Sequence, residues 1–136
     1  MSRRLARETA LQILFQMDFI GERDKIDESL DHWAAEFSVT KKSLEFAREL
    51  INGTLENIDI IDEKISGLSR DWSVSRMSVV DRNLMRMAAY EILYKPDTPK
   101  NVIINEAVEI AKIYGGEESR KFINGILDSL VNANKA

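Results

Sequence analysis

The amino-acid sequence predicts an all-α protein of six or seven helices arranged in two small helical bundles. Apolar residues recur every three or four positions along most of the chain, which is the spacing of one buried helical face. Proline occurs only at Pro96 and Pro99, so little interrupts this spacing. Hydrophobic residues make up 44% and charged residues 31% of the 136 residues, a balance typical of a globular protein. We expect a single domain over residues 1–136.

The first part of the chain predicts two helices and the start of a third. The first helix ends at Gly21, and a short second helix spans about 26–37. Thr40 is a suitable N-cap for the third helix. The apolar face of the first helix consists of Ala6, Ala10, Ile13, Leu14 and Met17.

A regular apolar register continues from 44 to 68 and allows two interpretations. It predicts either one long helix or two helices broken between Gly53 and Asn57. A coiled coil is the less favoured alternative to a bundle core, because the register covers only about three heptads. Residues 69–78 are then rich in Ser, Arg and Asp. We interpret them as the joint between sub-bundles at about 1–68 and 79–136.

The helix after this joint is predicted to lie at the centre of the molecule. Ser78 and Asp81 have the spacing of a capping box, which predicts a helix running to about Tyr94. Its apolar residues cover most of its circumference, as is usual for a buried helix. Glu91 falls on the apolar stripe and should therefore need a partner there.

Two further helices complete the expected fold. The first follows the proline-containing segment 96–99, and Gly115 and Gly116 end it. The apolar faces of the two helices consist of Ile104, Ala107, Val108 and Ala111 in the first and Ile123, Ile126, Leu127 and Leu130 in the second.

The residues that most enzymes and metalloproteins depend on are scarce. The chain has no cysteine and one histidine, His32, and it has no glycine-rich phosphate-binding motif. We therefore expect binding rather than catalysis, with no cofactor and no metal. No apolar run approaches the roughly 20 residues that span a bilayer, and no signal peptide is evident, so we expect a soluble cytoplasmic protein without membrane contact.

Positive charge is concentrated at the start of a chain whose net charge is −4. Arg3, Arg4 and Arg7 open the first helix without an acidic residue among them. Arginines at a helix N-terminus oppose the macrodipole, so helix stability alone does not explain them. A local basic patch can bind nucleic acid even in an acidic protein, because affinity depends on the patch.

A second face of the first helix lies away from its predicted core. A helical projection places Arg4, Glu8, Leu11 and Phe15 on one strip, with Gln12 beside it. Arginine with an aromatic residue suits RNA, since arginine pairs with phosphates and aromatic rings stack on bases. The alternative is that Leu11 and Phe15 simply pack against a neighbouring helix.

The last helix carries a similar combination. Phe122 lies at the edge of the apolar stripe, in line with Gly125 and Ser129, and Arg120 and Lys121 flank it. A ring among small residues is a candidate stacking site. Alternatively, Phe122 closes the edge of the core.

Three segments of the chain share an ordered set of residues with a known family. They are RLARE at 4–8 with Ala10, Gln12, Leu14 and Phe15; WSVSR at 72–76 with VVDR at 79–82, Leu84, Arg86, Ala88, Tyr90 and Glu91; and Pro99, Val102, INEAVEIAK at 104–112, Tyr114, Gly115 and FINGIL at 122–127. Together they resemble the NusB family of transcription antitermination factors along essentially the whole chain.

The resemblance implies a function in transcription. NusB proteins pair with NusE, a ribosomal protein of the small subunit, and the heterodimer binds the boxA element of nascent RNA. The complex joins others on RNA polymerase and suppresses termination, notably on rRNA operons. The resemblance assigns Arg3, Arg4, Arg7 and Phe122 to RNA, and we add Gln12, Arg120 and Lys121 from the two helix patterns. It assigns Phe15, Asp81 and Glu118 to NusE.

One departure from the family and three alternatives follow. Leu5 and Ala6 interrupt the arginine run, so we expect weak RNA binding by the chain alone and stronger binding with NusE. The NusB-like domain of an rRNA methyltransferase and a protein-binding helical adaptor without RNA are the alternative functions. The aromatic face of helix 1 would also serve a homodimer.

Overall fold

The structure, a computed structural model, describes residues 3–21, 25–37, 39–68 and 77–133 and confirms the all-α prediction. No helix in these ranges is long and apolar enough to cross a membrane. The seven helices of the described residues are α1 Arg3–Ile20, α2 Ile26–Phe37, α3 Lys41–Glu56, α4 Ile58–Ser66, α5 Val79–Tyr94, α6 Lys100–Tyr114 and α7 Gly116–Ala133.

Local capping interactions place the helix ends where the sequence predicted them. The Thr40 hydroxyl accepts a hydrogen bond from the Ser43 backbone N–H at 3.2 Å, and the Ser78 hydroxyl accepts one from Asp81 at 3.1 Å. These side chains satisfy donors that have no partner within the first turn of a helix. Gly21 takes the left-handed conformation with φ of 84° as α1 ends, as glycine allows without a steric penalty.

The long apolar register is divided into two helices, α3 and α4, at Asn57. The backbone of Asn57 leaves the helical region with φ of −114° and ψ of 17°. Its side-chain amide donates a hydrogen bond of 2.8 Å to the Gly53 carbonyl. Asparagine competes with helix geometry in this way because its side chain bonds to nearby backbone.

Helix α5 is the centre of the core, as predicted. Every residue from 83 to 92 is buried. The helix packs against three helices that precede it in the chain, α1, α3 and α4, and against the two that follow it, α6 and α7. Both halves of the chain therefore share one core through α5. The predicted joint lies mostly outside the described residues, at 69–76.

Helices α3 and α5 approach each other closely at Gly53. A Cβ atom at position 53 would lie 2.1 Å from the ring of Tyr90. That ring is buried and is stacked on Tyr94, with centroids 5.5 Å apart. Glycine at position 53 therefore makes room for the aromatic ring between the two helices.

Candidate functional site

Arg7, one of the three predicted RNA-binding arginines, is a core residue in the structure. Its side chain is 3% exposed and forms two hydrogen bonds with Glu91, at 2.9 and 2.8 Å. The partner expected for Glu91 is therefore Arg7. Because the guanidinium group is buried and paired, it has no surface from which to contact a phosphate. We accordingly correct the prediction for Arg7 from an RNA contact to a structural ion pair.

Arg3 and Arg4 lie at the surface beside this buried pair. Arg4 donates from its Nε to Glu106 of α6, and its side chain is 40% exposed. The guanidinium carbon of Arg3 lies 4.6 Å from the centroid of the Phe46 ring, which is a cation–π contact between α1 and α3. These contacts hold both arginines against the fold while leaving them accessible. We define Arg3, Arg4 and Arg7 as the arginine cluster.

Helices α1 and α6 run in the same direction along one face of the molecule. Arg4 bonds to Glu106, and the Gln12 amide donates to the Tyr114 hydroxyl at 3.3 Å. Each bond joins residues 102 positions apart. At both points, therefore, a residue of α1 faces the residue of α6 whose number is 102 higher. A groove of about 370 Å³ lies at the Gln12 end. Its lining, which defines the α1–α6 groove, is Leu11, Gln12, Phe15, Gln16, Val80 and Tyr114.

Aromatic side chains make the α1–α6 groove predominantly apolar. Phe15 is half-buried in it and stacks on Phe19 with the ring planes 3° apart. Phe19 is 74% exposed, and Tyr114 is also exposed. Leu11, which the projection placed off the core, is instead only 3% exposed. The reason is that α1 packs against both α3 and α5, which widens its buried arc.

A second cavity, of about 460 Å³, lies where α7 passes the start of α5. Phe122 is half-buried at its wall, and Asp81 and Glu118 line it as well. The Asp81 carboxylate accepts a hydrogen bond of 3.2 Å from the Ser119 hydroxyl. The lining, which defines the α5–α7 cavity, is Met77, Ser78, Asp81, Glu118, Ser119 and Phe122. One residue predicted for RNA thus shares a cavity with two predicted for NusE.

The basic residues near Phe122 are only partly available. Arg120 donates two hydrogen bonds to Glu117, at 3.0 and 2.9 Å. These bonds, together with the positive charge of Arg120, lower the pKa of Glu117. Lys121 is exposed on the same helix. No contact among the described residues joins this basic pair to the arginine cluster.

A polar network that was not predicted from the sequence fixes the start of α5 between α1 and α4. Arg86 donates to Asp62 at 2.8 Å through each of two nitrogens, and Arg82 and Asn83 donate to Asp18. Arg86 also lies 3.3 Å from Asp18. The available signal was Arg82 and Arg86, four residues apart on a helix whose apolar residues cover most of its circumference.

This network predicts a loss of stability at low pH. Burial alone would raise the pKa of Asp18, but hydrogen bonds from Arg82 and Asn83 and the charges of Arg82 and Arg86 outweigh it and lower that pKa. A lowered pKa in the folded state stabilises the protein above the unfolded value, and the contribution is lost as pH falls. We expect the free energy of unfolding, measured with urea, to fall as pH drops from about 5 through the ordinary value of 3.8.

Asp18→Asn should flatten this pH dependence, because it removes the titrating carboxylate. Asp128→Asn is the matched control, since Asp128 is exposed on α7. An unchanged pH slope in Asp18→Asn would contradict the role assigned to Asp18.

Comparison with known proteins identifies the family of this chain. Among the described residues no cluster of acidic residues and histidine has the arrangement of a metal site. The model of the NusB family matches residues 4–132. The chain belongs to the NusB family. It is similar to the transcription antitermination protein NusB of Desulfitobacterium hafniense, with 56% identity over 133 residues that cover 98% of this chain and 90% of the relative.

Solved structures give the same result for the fold of this NusB-family chain. T. maritima NusB matches with a TM-score of 0.87 and 43% identity, over 97% of this chain and 92% of the other. A second match is the crystal structure of the antitermination factors NusB and NusE in complex with dsRNA. Its TM-score is 0.85, with 27% identity and 96% coverage of both chains.

Proposed function

We propose that this chain is a transcription antitermination factor that binds boxA RNA together with NusE and acts on RNA polymerase, notably on rRNA operons. The observation that carries the proposal is the surface of α1. This helix presents two accessible arginines at its start and, near its end, a stacked aromatic pair in which Phe15 is half-buried and Phe19 is exposed. The curated relative is named as an antitermination protein and not as a methyltransferase, which supports this function over that alternative.

The α1–α6 groove is proposed as the NusE site. Phe19 exposes 74% of its surface and Ile113, beside Tyr114 on α6, exposes 62%. Exposed aromatic and apolar side chains mark protein interfaces, whose cores are enriched in such residues and poor in charge. Phe15 anchors this surface because it is half-buried in the groove and stacked on Phe19.

The arginines of α1 and Phe122 of α7 are proposed to make different kinds of contact with RNA. Arg3 and Arg4 suit phosphates, since guanidinium groups donate hydrogen bonds to phosphate oxygens. Phe122 lies in a cavity with the carboxylates of Asp81 and Glu118, which repel phosphates. We therefore assign Phe122 to stacking on a base and keep Asp81 and Glu118 as proposed NusE contacts.

The small number of accessible arginines makes NusE a necessary part of the RNA site. With Arg7 in the core, the arginine cluster offers two exposed guanidinium groups, one of them paired with Glu106. Each phosphate contact contributes salt-sensitive affinity, so the chain alone should bind RNA weakly. The role is one of binding without a catalytic step, and it places the protein in the cytoplasm with nascent RNA.

Phe19→Asp tests the assignment of the groove. We expect this change to weaken the capture of purified NusE at least about tenfold, because a charge would be buried at the interface core. Helical circular dichroism should stay unchanged, since Phe19 is mostly exposed. Ile60→Asp is the matched control, as Ile60 is an exposed apolar residue on α4 outside the groove.

RNA binding is then measured for the chain alone and with NusE at two salt concentrations. Stronger, salt-sensitive binding in the presence of NusE is the expected result. Equal capture of NusE by both variants would contradict the groove assignment. Absence of RNA binding by the wild-type pair, with no crosslink at Arg4 or Phe122, would favour the adaptor function. Sedimentation of the chain alone shows whether a second copy competes for the groove.

A further inference from the structure

Glu106 contacts both an accessible arginine and a buried one. Its Oε2 accepts a hydrogen bond from Arg4 Nε, and its Oε1 lies 3.8 Å from a terminal nitrogen of Arg7. The side chain of Glu106 is 20% exposed and that of Arg4 is 40% exposed, against 3% for Arg7. A phosphate that approaches from solvent can therefore reach the Arg4–Glu106 pair but not Arg7.

Glu91 neutralises the charge of Arg7 in the buried pair. Glu106 therefore interacts mainly with Arg4. Arg7 receives two hydrogen-bond acceptors from Glu91 at 2.9 Å or less. The distance from Arg7 to Glu106 is longer, at 3.8 Å, and lies outside normal hydrogen-bond range. Arg4 makes its ion pair with Glu106 alone among the described residues.

We propose that Glu106 is an internal competitor for the RNA phosphate at Arg4. In the free chain the carboxylate occupies Arg4 Nε as a phosphate oxygen would, so a phosphate that pairs with this nitrogen displaces the carboxylate. The inference rests on the proposed RNA-binding function and deepens it. It assigns part of the weak binding of the isolated chain to a residue of its own rather than to a shortage of arginines.

The competition at Arg4 also affects how RNA affinity depends on salt concentration. A phosphate that pairs with a free arginine releases a counterion, which makes binding weaken as salt rises. When Arg4 exchanges a carboxylate for a phosphate, the freed carboxylate takes up a cation, and part of that salt effect is cancelled. An arginine held by Glu106 should therefore contribute less to the salt slope than a free arginine.

Glu106→Gln separates competition from a positioning role. The amide oxygen of glutamine still accepts a hydrogen bond from Arg4 Nε, while the negative charge is lost. If Glu106 competes, the change strengthens RNA binding. If Glu106 instead positions Arg4 for the phosphate, the change leaves binding equal or weaker.

The experiment measures the affinity of a short fluorescein-labelled single-stranded RNA between about 50 and 200 mM salt, with and without NusE. We expect Glu106→Gln to strengthen binding by the chain alone about two- to fivefold at the lower salt, the range of a partly exposed ion pair. The salt slope should become steeper by up to about 0.7. Glu109→Gln is the matched control, because Glu109 lies on the same helix, carries the same charge and pairs with Lys112 instead.

A double-mutant cycle with Arg4→Ala completes the test, since coupling between neighbours is measured in this way. Glu106→Gln should have no more effect than Glu109→Gln once Arg4 is absent. An equal gain from Glu109→Gln in the wild-type background, or a loss from Glu106→Gln, would overturn the inference while RNA binding itself stands. If the wild-type chain bound no RNA even with NusE, the proposed function would fail first.

Discussion

Arg7→Ala is expected to lower the free energy of unfolding by about 3–5 kcal/mol, measured by urea denaturation. Arg7 and Glu91 are 3% and 2% exposed, and they bond to each other through two nitrogens and two oxygens. Removing the guanidinium leaves the Glu91 carboxylate in the core without its main partner. The desolvation cost of such a charge exceeds the value of almost any surface contact.

Arg4→Ala is the comparison that separates stability from binding at the arginine cluster. Arg4 is 40% exposed, and its ion pair with Glu106 should contribute at most about 1 kcal/mol to stability. We expect this change to weaken RNA binding while the unfolding transition stays close to that of the wild type. Arg7→Ala should instead mainly lower the stability. Any loss of RNA binding by this variant should follow from the loss of folded protein.

A paired replacement tests whether Arg7 acts through the fold alone. Arg7→Met combined with Glu91→Leu substitutes two apolar side chains for the buried ion pair, which is often neutral for stability. The double variant should regain most of the stability that Arg7→Ala loses and should bind RNA as the wild type does. A stable double variant that bound RNA worse than Arg4→Ala would show that Arg7 contacts the ligand after all.

The helices were predictable from sequence because their ends depend on nearby residues. Thr40, Ser78 and Gly21 act within one turn of their own positions, so a local pattern contains the whole signal. The break at Asn57, which was one of two alternatives from the sequence, also has a local cause, because its amide bonds to a carbonyl four residues away. Pairing between helices has no such local signal. Arg7 and Glu91 are 84 positions apart, and nothing in the spacing of either helix specifies the other.

In the arginine cluster, composition and helical period lead to different predictions for Arg7. Three arginines in five positions indicate a basic patch by composition. The helical period, however, places Arg7 on the stripe of Ala10 and Leu14, three and seven residues later, which are both buried. The helical period therefore indicates that Arg7 is internal. It could not give the exposure of Arg4, which depends on Glu106 from α6.

The candidate site could be predicted residue by residue but not in its arrangement. Phe15 and Phe122 were each ambiguous between contact and core, and each is in fact half-buried at the wall of a surface cavity. Phe19, which is the more exposed ring, was not predicted because it lies one turn beyond the strip that ends at Phe15. Cavities form between helices, so their lining depends on packing angles that no single helix determines.

Gly53→Ala is expected to destabilise the protein by about 3 kcal/mol, at the upper end of the range for an overfilled core. Two effects oppose each other at this position. Alanine favours a helix over glycine by about 0.5–1 kcal/mol. The new methyl group, however, would lie 2.1 Å from one ring atom of Tyr90, and 2.4 Å from a second ring atom and from the hydroxyl oxygen. The packing effect should win because Tyr90 is buried and stacked on Tyr94, so its ring has little room to move.

Gly125→Ala gives the control with the opposite sign. Gly125 lies inside α7 as Gly53 lies inside α3, but a Cβ at position 125 would meet nothing within 4 Å. Helix propensity then acts alone, and this change should raise the free energy of unfolding by about 0.5–1 kcal/mol. In a Tyr90→Ala background the cost of Gly53→Ala should disappear, since the colliding ring is gone. If Gly53→Ala stabilised the wild type as Gly125→Ala does, the close packing of α3 on α5 would be wrong.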